Sequence, residues 1–273
     1  MHFMQIINLQ KRGEQMKGII KSIVLIFIVA LLAMEIHASD SIGWYCIRNK
    51  NHEQPQLDST LDMVEKYDVY WVDKKHSSMN DEKVIYLTFD AGYENGNVEK
   101  ILDILNEEDV KASFFVLENI LLKNKDLIKK MIDGGHTIAN HSAKHKDMTT
   151  LSKEGFSEEL KALENVFEKE YALTMPKIYR PPEGKFNEEN LKWAKELGYK
   201  TVMWSFAYAD WDNGRQISPD KAIKKIFDNL HNGEIMLLHP TSSTNAEIME
   251  EMIKELKNQG FRFGTLAELC EKC

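Results

Sequence analysis

Three things are scarce in this sequence, and each scarcity excludes something. Cysteine is rare: Cys46, Cys270 and Cys273 are the only three in 273 residues. That is too few for the disulfide framework of a small stapled fold. Cys270 and Cys273 form a C-x-x-C at the end of the chain, but no second cysteine pair completes a zinc site. The expected reading is an inert or opportunistically oxidised pair rather than a redox centre. Positive charge is also short, with 35 Lys and Arg against 43 Asp and Glu and a net charge of −8. A general nucleic-acid-binding role is thereby excluded. Long apolar runs are nearly absent: one runs from Ile23 to Met34, short for a stable membrane span. There is no internal repeat and no low-complexity segment.

That single apolar run reads as a targeting segment. Lys17 and Lys21 precede it, and Ile36-His37-Ala38 supplies small-residue cleavage just after Ala38. Met16 is the natural start of such a signal peptide, with residues 1–15 as an upstream extension. Cleavage or retention as an uncleaved anchor both remain open, and membrane association follows only from the second. Either way the body from about Ser39 is expected outside the cytoplasmic membrane.

What is present is enough apolar material for one sizeable core, 43% hydrophobic and 10% aromatic. Residues 39–82 lack clear periodicity apart from a helical patch from Leu57 to Tyr67. They read as a lead-in packed on the main domain, with Trp44 and Trp71 as packing residues. From residue 83 to 273 the pattern alternates. Strands are expected at 84–89, 112–116, 137–140, 177–179, 201–205, 234–238 and 261–263, with amphipathic helices between them. Such alternation implies parallel strands joined by crossover helices, an α/β fold of distorted (β/α) barrel type with seven strands in a single domain.

The chain is organised around Gly135 to His145. A short apolar strand, Thr137 to Ala139, runs into His141 and His145. Four residues is about one helical turn, so both imidazoles can project from one face and share a metal ion. The bland alternative is two surface histidines opening a helix. His136, at the strand start, reads as structural. The other strand ends decide the matter: Asp90, Arg180, Asp210 and His239 also follow the carboxyl ends of expected strands. In an α/β barrel those ends converge on one face, where active sites sit. Five polar groups of different chemical kinds converging there are more than caps and salt bridges require.

These stretches resemble the motifs of the polysaccharide deacetylases, carbohydrate esterase family four, with the NodB-homology fold. The resemblance covers about Lys83 to Leu269. Thr88-Phe89-Asp90-Ala91-Gly92-Tyr93 looks like the first motif, and Asn140-His141-Ser142 to His145 the second. Arg180-Pro181-Pro182-Glu183-Gly184 resembles the third, Asp210-Trp211 the fourth, and Leu237-Leu238-His239 the fifth. Within the family, the Tyr93-Glu94-Asn95-Gly96 continuation, the Arg-Pro-Pro-x-Gly form and the Trp44 lead-in look most like muramic acid de-N-acetylases that prepare the δ-lactam of spore cortex peptidoglycan.

The resemblance implies roles. Asp90 would be the general base, Arg180 its ionising partner, His239 the general acid and Asp210 the group that raises and orients it. His141 and His145 would ligate a divalent metal, zinc being the expected ion, which polarises the acetyl carbonyl and acidifies water. Trp211 and Leu237 would form the apolar wall for the acetyl methyl, and Tyr93 a substrate contact. The partner would be peptidoglycan glycan strands, met by a monomeric enzyme. One departure stands out: the usual second aspartate of the first motif is Ala91, which cannot ligate. The δ-lactam branch departs from aspartate here too, so the change fits the subfamily while weakening the metal site. Glu94 or Asn95 are the nearby groups able to reach in. Two other functions stay open: a non-catalytic wall-glycan-binding protein, which Ala91 motivates, and a deacetylase of another polysaccharide such as chitooligosaccharide or xylan.

Overall fold

The computed structural model describes residues 41–48, 51–79 and 81–270, together with 16, 17 and 21. The chain divides into two compact units, 1–39 and 40–273; the architecture below is that of the second. The targeting segment expected over residues 1–38 lies outside the described residues apart from those three, as does Cys273. No helix among the described residues is long and apolar enough to cross a membrane.

The second unit opens with a two-residue strand, β1 (Ile42–Gly43), a 3-10 helix (Ser59–Lys66) and β2 (Val69–Tyr70). Alternation then sets in with β3 (Val84–Ala91), α1 (Asn97–Glu107), β4 (Ser113–Val116), α2 (Glu118–Lys123), α3 (Lys125–Asp133) and β5 (Thr137–Asn140). Helix α4 (Lys153–Tyr171), β6 (Ile178–Tyr179), β7 (Lys185–Phe186), α5 (Glu188–Glu196), β8 (Lys200–Val202) and β9 (Phe206–Ala207) follow. The unit ends with α6 (Pro219–Asn229), β10 (Glu234–Leu238), α7 (Ser243–Asn258), β11 (Arg262–Phe263) and α8 (Leu266–Leu269).

The main sheet runs β2-β8-β6-β5-β4-β3-β10-β9, with β11 paired to the start of β3, and every pairing in it is parallel. It curves into a half-barrel. All seven expected strands are present, and the two-residue β2 and β9 extend the sheet at its edges. The central strands are apolar on both faces because helices cover one side and the barrel interior the other. In β10 all five residues are buried. Helix α1 buries Val98, Ile101, Leu102 and Leu105, the spacing of one helical face, against that sheet. Each such side chain contributes about 1.5–3 kcal/mol by leaving water. Serine or asparagine caps open the helices that follow the site loops: Ser152 before α4, Asn187 before α5 and Ser242 before α7.

The lead-in is more than padding. It supplies β2 to the sheet, and Trp44, Trp71, Leu61 and Val64 pack with Phe186, Leu191 and Met203. Strands β4, β6 and β11 each start one residue later than expected, and β8 falls furthest short. The expected run 201–205 stops at Val202 because the carbonyls beyond it serve other donors. Val202 and Met203 accept from Arg180, at 3.0 and 3.2 Å, while Trp204 accepts from the Trp44 indole at 2.8 Å.

Candidate active site

Parallel strands of one direction deliver their carboxyl ends to one rim, and a cavity of about 670 Å³ opens there. Asp90, His141, His145, Trp211, Leu237 and His239 all line it, as does Tyr93. Seven of the nine residues singled out in the sequence therefore share one cavity wall; Arg180 and Asp210 stand directly behind it, each bonded to a wall residue.

Arg180, at the end of β6, is wholly buried. Its Nη1 donates to Asp90 Oδ1 at 2.7 Å, Nη2 to Thr88 Oγ1 at 2.9 Å, and the guanidinium lies 4.0 Å from the centroid of the Phe115 ring. With the two β8-side carbonyls, the group is held on every side. Burial alone would raise the pKa of Asp90, but the positive charges of His141, Arg180 and His239 outweigh it and hold the carboxyl below its usual range. His141 contributes only when charged, and burial lowers it to about 4. Arg180, charged throughout, thus keeps Asp90 ionised, with His239 adding to it when protonated.

A second pair stands on the same rim. Asp210 is buried; its Oδ1 accepts from His239 Nδ1 at 2.7 Å and its Oδ2 from the His239 backbone N–H at 2.8 Å. Burial would lower the pKa of His239, but the hydrogen bond and charge of Asp210, aided by Asp90, raise it. Because Nδ1 is engaged, Nε2 is the nitrogen left for the cavity. Trp211, 61% exposed, meets the His239 ring edge-on at 6.0 Å. Tyr93, 46% exposed, accepts from Asn213 at 3.0 Å.

Beside the first pair lie His141 and His145, ring centroids 5.1 Å apart. They come together in a loop and not on one turn of a helix as their spacing suggested. Ser142 and His145 are left-handed, φ 68° and 53°, which a helix does not allow. His141 Nδ1 donates to the Arg180 carbonyl at 2.9 Å, leaving the Nε2 lone pair facing Asp90 Oδ2 at 3.4 Å. Two bare acceptors at that distance fit a cation shared among them, and two imidazoles suit a divalent transition metal. The described residues hold no group of three His, Cys, Asp or Glu placed for a metal ion. Ala91 is buried among core side chains. Glu94 caps the backbone N–H groups of Gly96 and Glu99, and Asn95 donates to the Thr241 carbonyl at 2.9 Å, so neither replaces the missing ligand.

Residues 77–202 match the family model described as polysaccharide deacetylase. The chain is 39% identical over 235 residues to the peptidoglycan-N-acetylmuramic acid deacetylase PdaA of Bacillus subtilis, covering 85% of this chain and 86% of that one. The chain belongs to the polysaccharide deacetylase family, family 4 of the carbohydrate esterases. The solved structure of PdaA superposes with a TM-score of 0.79 at 38% identity, covering 85% of this chain and 97% of that chain. A family 4 carbohydrate esterase from Bacillus anthracis gives 0.70 at 34% identity, covering 86% and 98%. A third structure, BA3943 of Bacillus anthracis, is described as a pseudoenzyme of this deacetylase family. It gives 0.64 at 30% identity, covering 71% of this chain and 67% of that one.

Within this deacetylase frame, sequence reading missed the groups that support the site from behind. Asn245, in the first turn of α7, donates to Asp210 Oδ2 at 2.6 Å and to the His239 carbonyl at 3.0 Å. Tyr208 donates in turn to Asn245. The one available clue was the polar run Thr241-Ser242-Ser243-Thr244-Asn245, separated from His239 by Pro240 alone and longer than a helix cap needs.

Proposed function

We propose that this deacetylase removes the N-acetyl group from muramic acid in peptidoglycan whose peptide stem is already gone, in preparation for muramic δ-lactam formation in spore cortex. The reading is carried by one observation: a carboxylate whose pKa is lowered and an imidazole whose pKa is raised line the same cavity. Hydrolysis of an acetamide needs both. Asp90 takes a proton from the attacking water, and His239 gives one to the departing amine nitrogen. Splitting two titratable groups apart by environment assigns base and acid. Arg180 keeps the base ionised; Asp210, with Asn245 behind it, keeps the acid charged and turned. Leu237 and Trp211 receive the acetyl methyl, and Tyr93 contacts the sugar. His141 and His145 would hold a divalent metal, zinc being the expected ion, which when bound would polarise the acetyl carbonyl and acidify water.

The choice of muramic acid is supported by the likeness to PdaA. A peptidoglycan-N-acetylglucosamine deacetylase of Bacillus cereus is also a relative, at 33% identity over 195 residues. The requirement for a removed stem follows from the chemistry of a lactam: the freed amine must meet a free lactyl carboxyl. The enzyme works as an exported protein at the cell envelope, consistent with the basic, apolar and small-residue order of residues 17–38. Purified protein should deacetylate stem-free glycan strands and lose that activity on mild chelation, with recovery on adding divalent metal. Equal turnover of fully stem-substituted strands contradicts the substrate assignment. Ala91 favours one competing reading, a non-catalytic glycan-binding protein, and the family contains at least one pseudoenzyme, BA3943; glycan binding without acetate release would establish it.

A further inference from the structure

The loop from His141 to Asp147 carries both imidazoles through two left-handed residues, and something must hold it there. Part of the restraint is local. Asn140 Oδ1 accepts from the Ser142 N–H at 2.8 Å, and Ser142 Oγ from the His145 N–H at 3.0 Å. The rest comes from a different element. Glu159, on the second turn of α4, is only 6% exposed. Its Oε2 accepts from the backbone N–H of Lys144 at 3.0 Å, and its Oε1 lies 2.6 Å from Lys146 Nζ. A carboxylate is seldom buried on a helix face without a task. This one grips the loop on both sides of His145, at residues 144 and 146. A further restraint comes from α2: the N–H of Glu118 donates to the Ala143 carbonyl at 3.2 Å, and its carboxylate meets Lys144 Nζ at 2.8 Å. The lysines of both ion pairs are more than half exposed, so what sets Glu159 apart is its own burial and its bond to a backbone N–H.

We propose that Glu159 is a positioning residue for the His141–His145 pair, its buried carboxylate fixing from α4 the loop that turns His145 toward His141. The proposal rests on reading the two histidines as metal ligands. In a site short of its third protein ligand, loop rigidity counts for more, because a wandering His145 leaves His141 alone. Partners that orient ligands without touching the metal typically govern affinity or activity by about 10- to 100-fold.

The test uses the full chain and three variants. Glu159→Leu removes the acceptor. Glu159→Gln keeps an oxygen for the Lys144 N–H. Leu163→Ala opens a cavity on the same helix, where Leu163 is fully buried, and lowers stability without touching the loop. Zinc affinity is measured by competition with a chromophoric chelator, together with amide hydrogen exchange over residues 141–147 and the separate kcat and KM values. Glu159→Leu should bind zinc about 10- to 100-fold more weakly. Its Lys144 and His145 amides should exchange faster, and kcat should fall with KM unchanged. Glu159→Gln should stay near wild type, and Leu163→Ala should keep wild-type zinc affinity despite a lower Tm. Wild-type affinity and exchange in Glu159→Leu overturn the proposal, as does an equal loss of affinity in Leu163→Ala. Should wild type bind no zinc, the ligand reading fails, and the exchange arm still decides: unchanged protection of Lys144 and His145 in Glu159→Leu overturns the clamp.

Discussion

Strand β10 has a histidine and a carboxylate near each end, and the two clusters behave in opposite ways. At its carboxyl end, His239 bonds Asp210 at 2.7 Å and lines the cavity. At its amino end, His231 lies 3.3 Å from Glu234, and its Nε2 accepts from Ser205 Oγ at 2.9 Å. By composition the second cluster looks the more catalytic, a serine, a histidine and an acid in hydrogen-bonding reach. Yet Ser205, His231 and Glu234 are all buried. Burial drives His231 down to about 4 and Glu234 well above its ordinary value, so it disfavours the charged form of both. At the carboxyl end the hydrogen bond and charge of Asp210 overcome the burial of His239 and raise it. The same residue types make an acid–base device where one carboxylate is bonded from three sides and the ring reaches a cavity. Where no solvent or substrate enters, they make packing.

The contrast breaks most severely if the cavity end is not catalytic. Asp90→Asn keeps shape and removes basicity, so kcat should fall by about 10²–10⁴-fold with glycan binding retained. A near-wild-type rate in this variant removes Asp90 as the base. Asp210→Asn should cost about 10²-fold in kcat and also move the alkaline limb of the pH–rate profile. The sign follows from the acid form being the active one. His239 is raised above 6.5, so activity persists below that raised pKa and is lost as pH rises through it. Without Asp210 the limb moves to lower pH; a stationary limb means another group is the acid.

Two smaller effects sharpen the comparison. Ala91→Asp should increase metal retained after dialysis by about tenfold, provided the new carboxylate turns out of the core toward the histidines. A lower Tm with unchanged retention shows it staying buried instead. At the amino end of β10, Glu234→Gln should leave kcat unchanged and differ from wild type by about 1 kcal/mol or less below pH 4.5, gaining on wild type as pH rises, because the amide carries no proton that unfolding releases. The stabilisation from that raised pKa is fully present below 4.5 and lost as pH rises through the folded-state value. Urea midpoints should therefore fall more steeply toward alkaline pH in wild type than in Glu234→Gln.

The strand–helix alternation was legible because parallel strands such as β10 are apolar throughout and their helices carry a clean one-face spacing. The residues that line the rim cavity were legible because strand ends are where a barrel collects polar groups. Less legible were contacts set by distant residues. The strands β2 and β9 have two residues each and no periodicity to read. The left-handed loop between His141 and His145 depends on Glu159, fourteen or more positions away, and its four-residue spacing mimics a helical turn. Asn245 and Tyr208 lie on either side of Asp210 and His239 in sequence, and only the packing of α7 against the rim brings them behind that pair.

The central claim is that Asp90 and His239 hydrolyse the acetamide of muramic acid. Its most direct test is mass spectrometry of stem-free glycan strands incubated with metal-supplemented wild type and Asp90→Asn, with released acetate quantified in parallel. The account predicts loss of one acetyl group from muramic acid residues with matching acetate for wild type, and intact glycan for Asp90→Asn. Acetyl loss confined to glucosamine, or equal loss with both proteins, contradicts it.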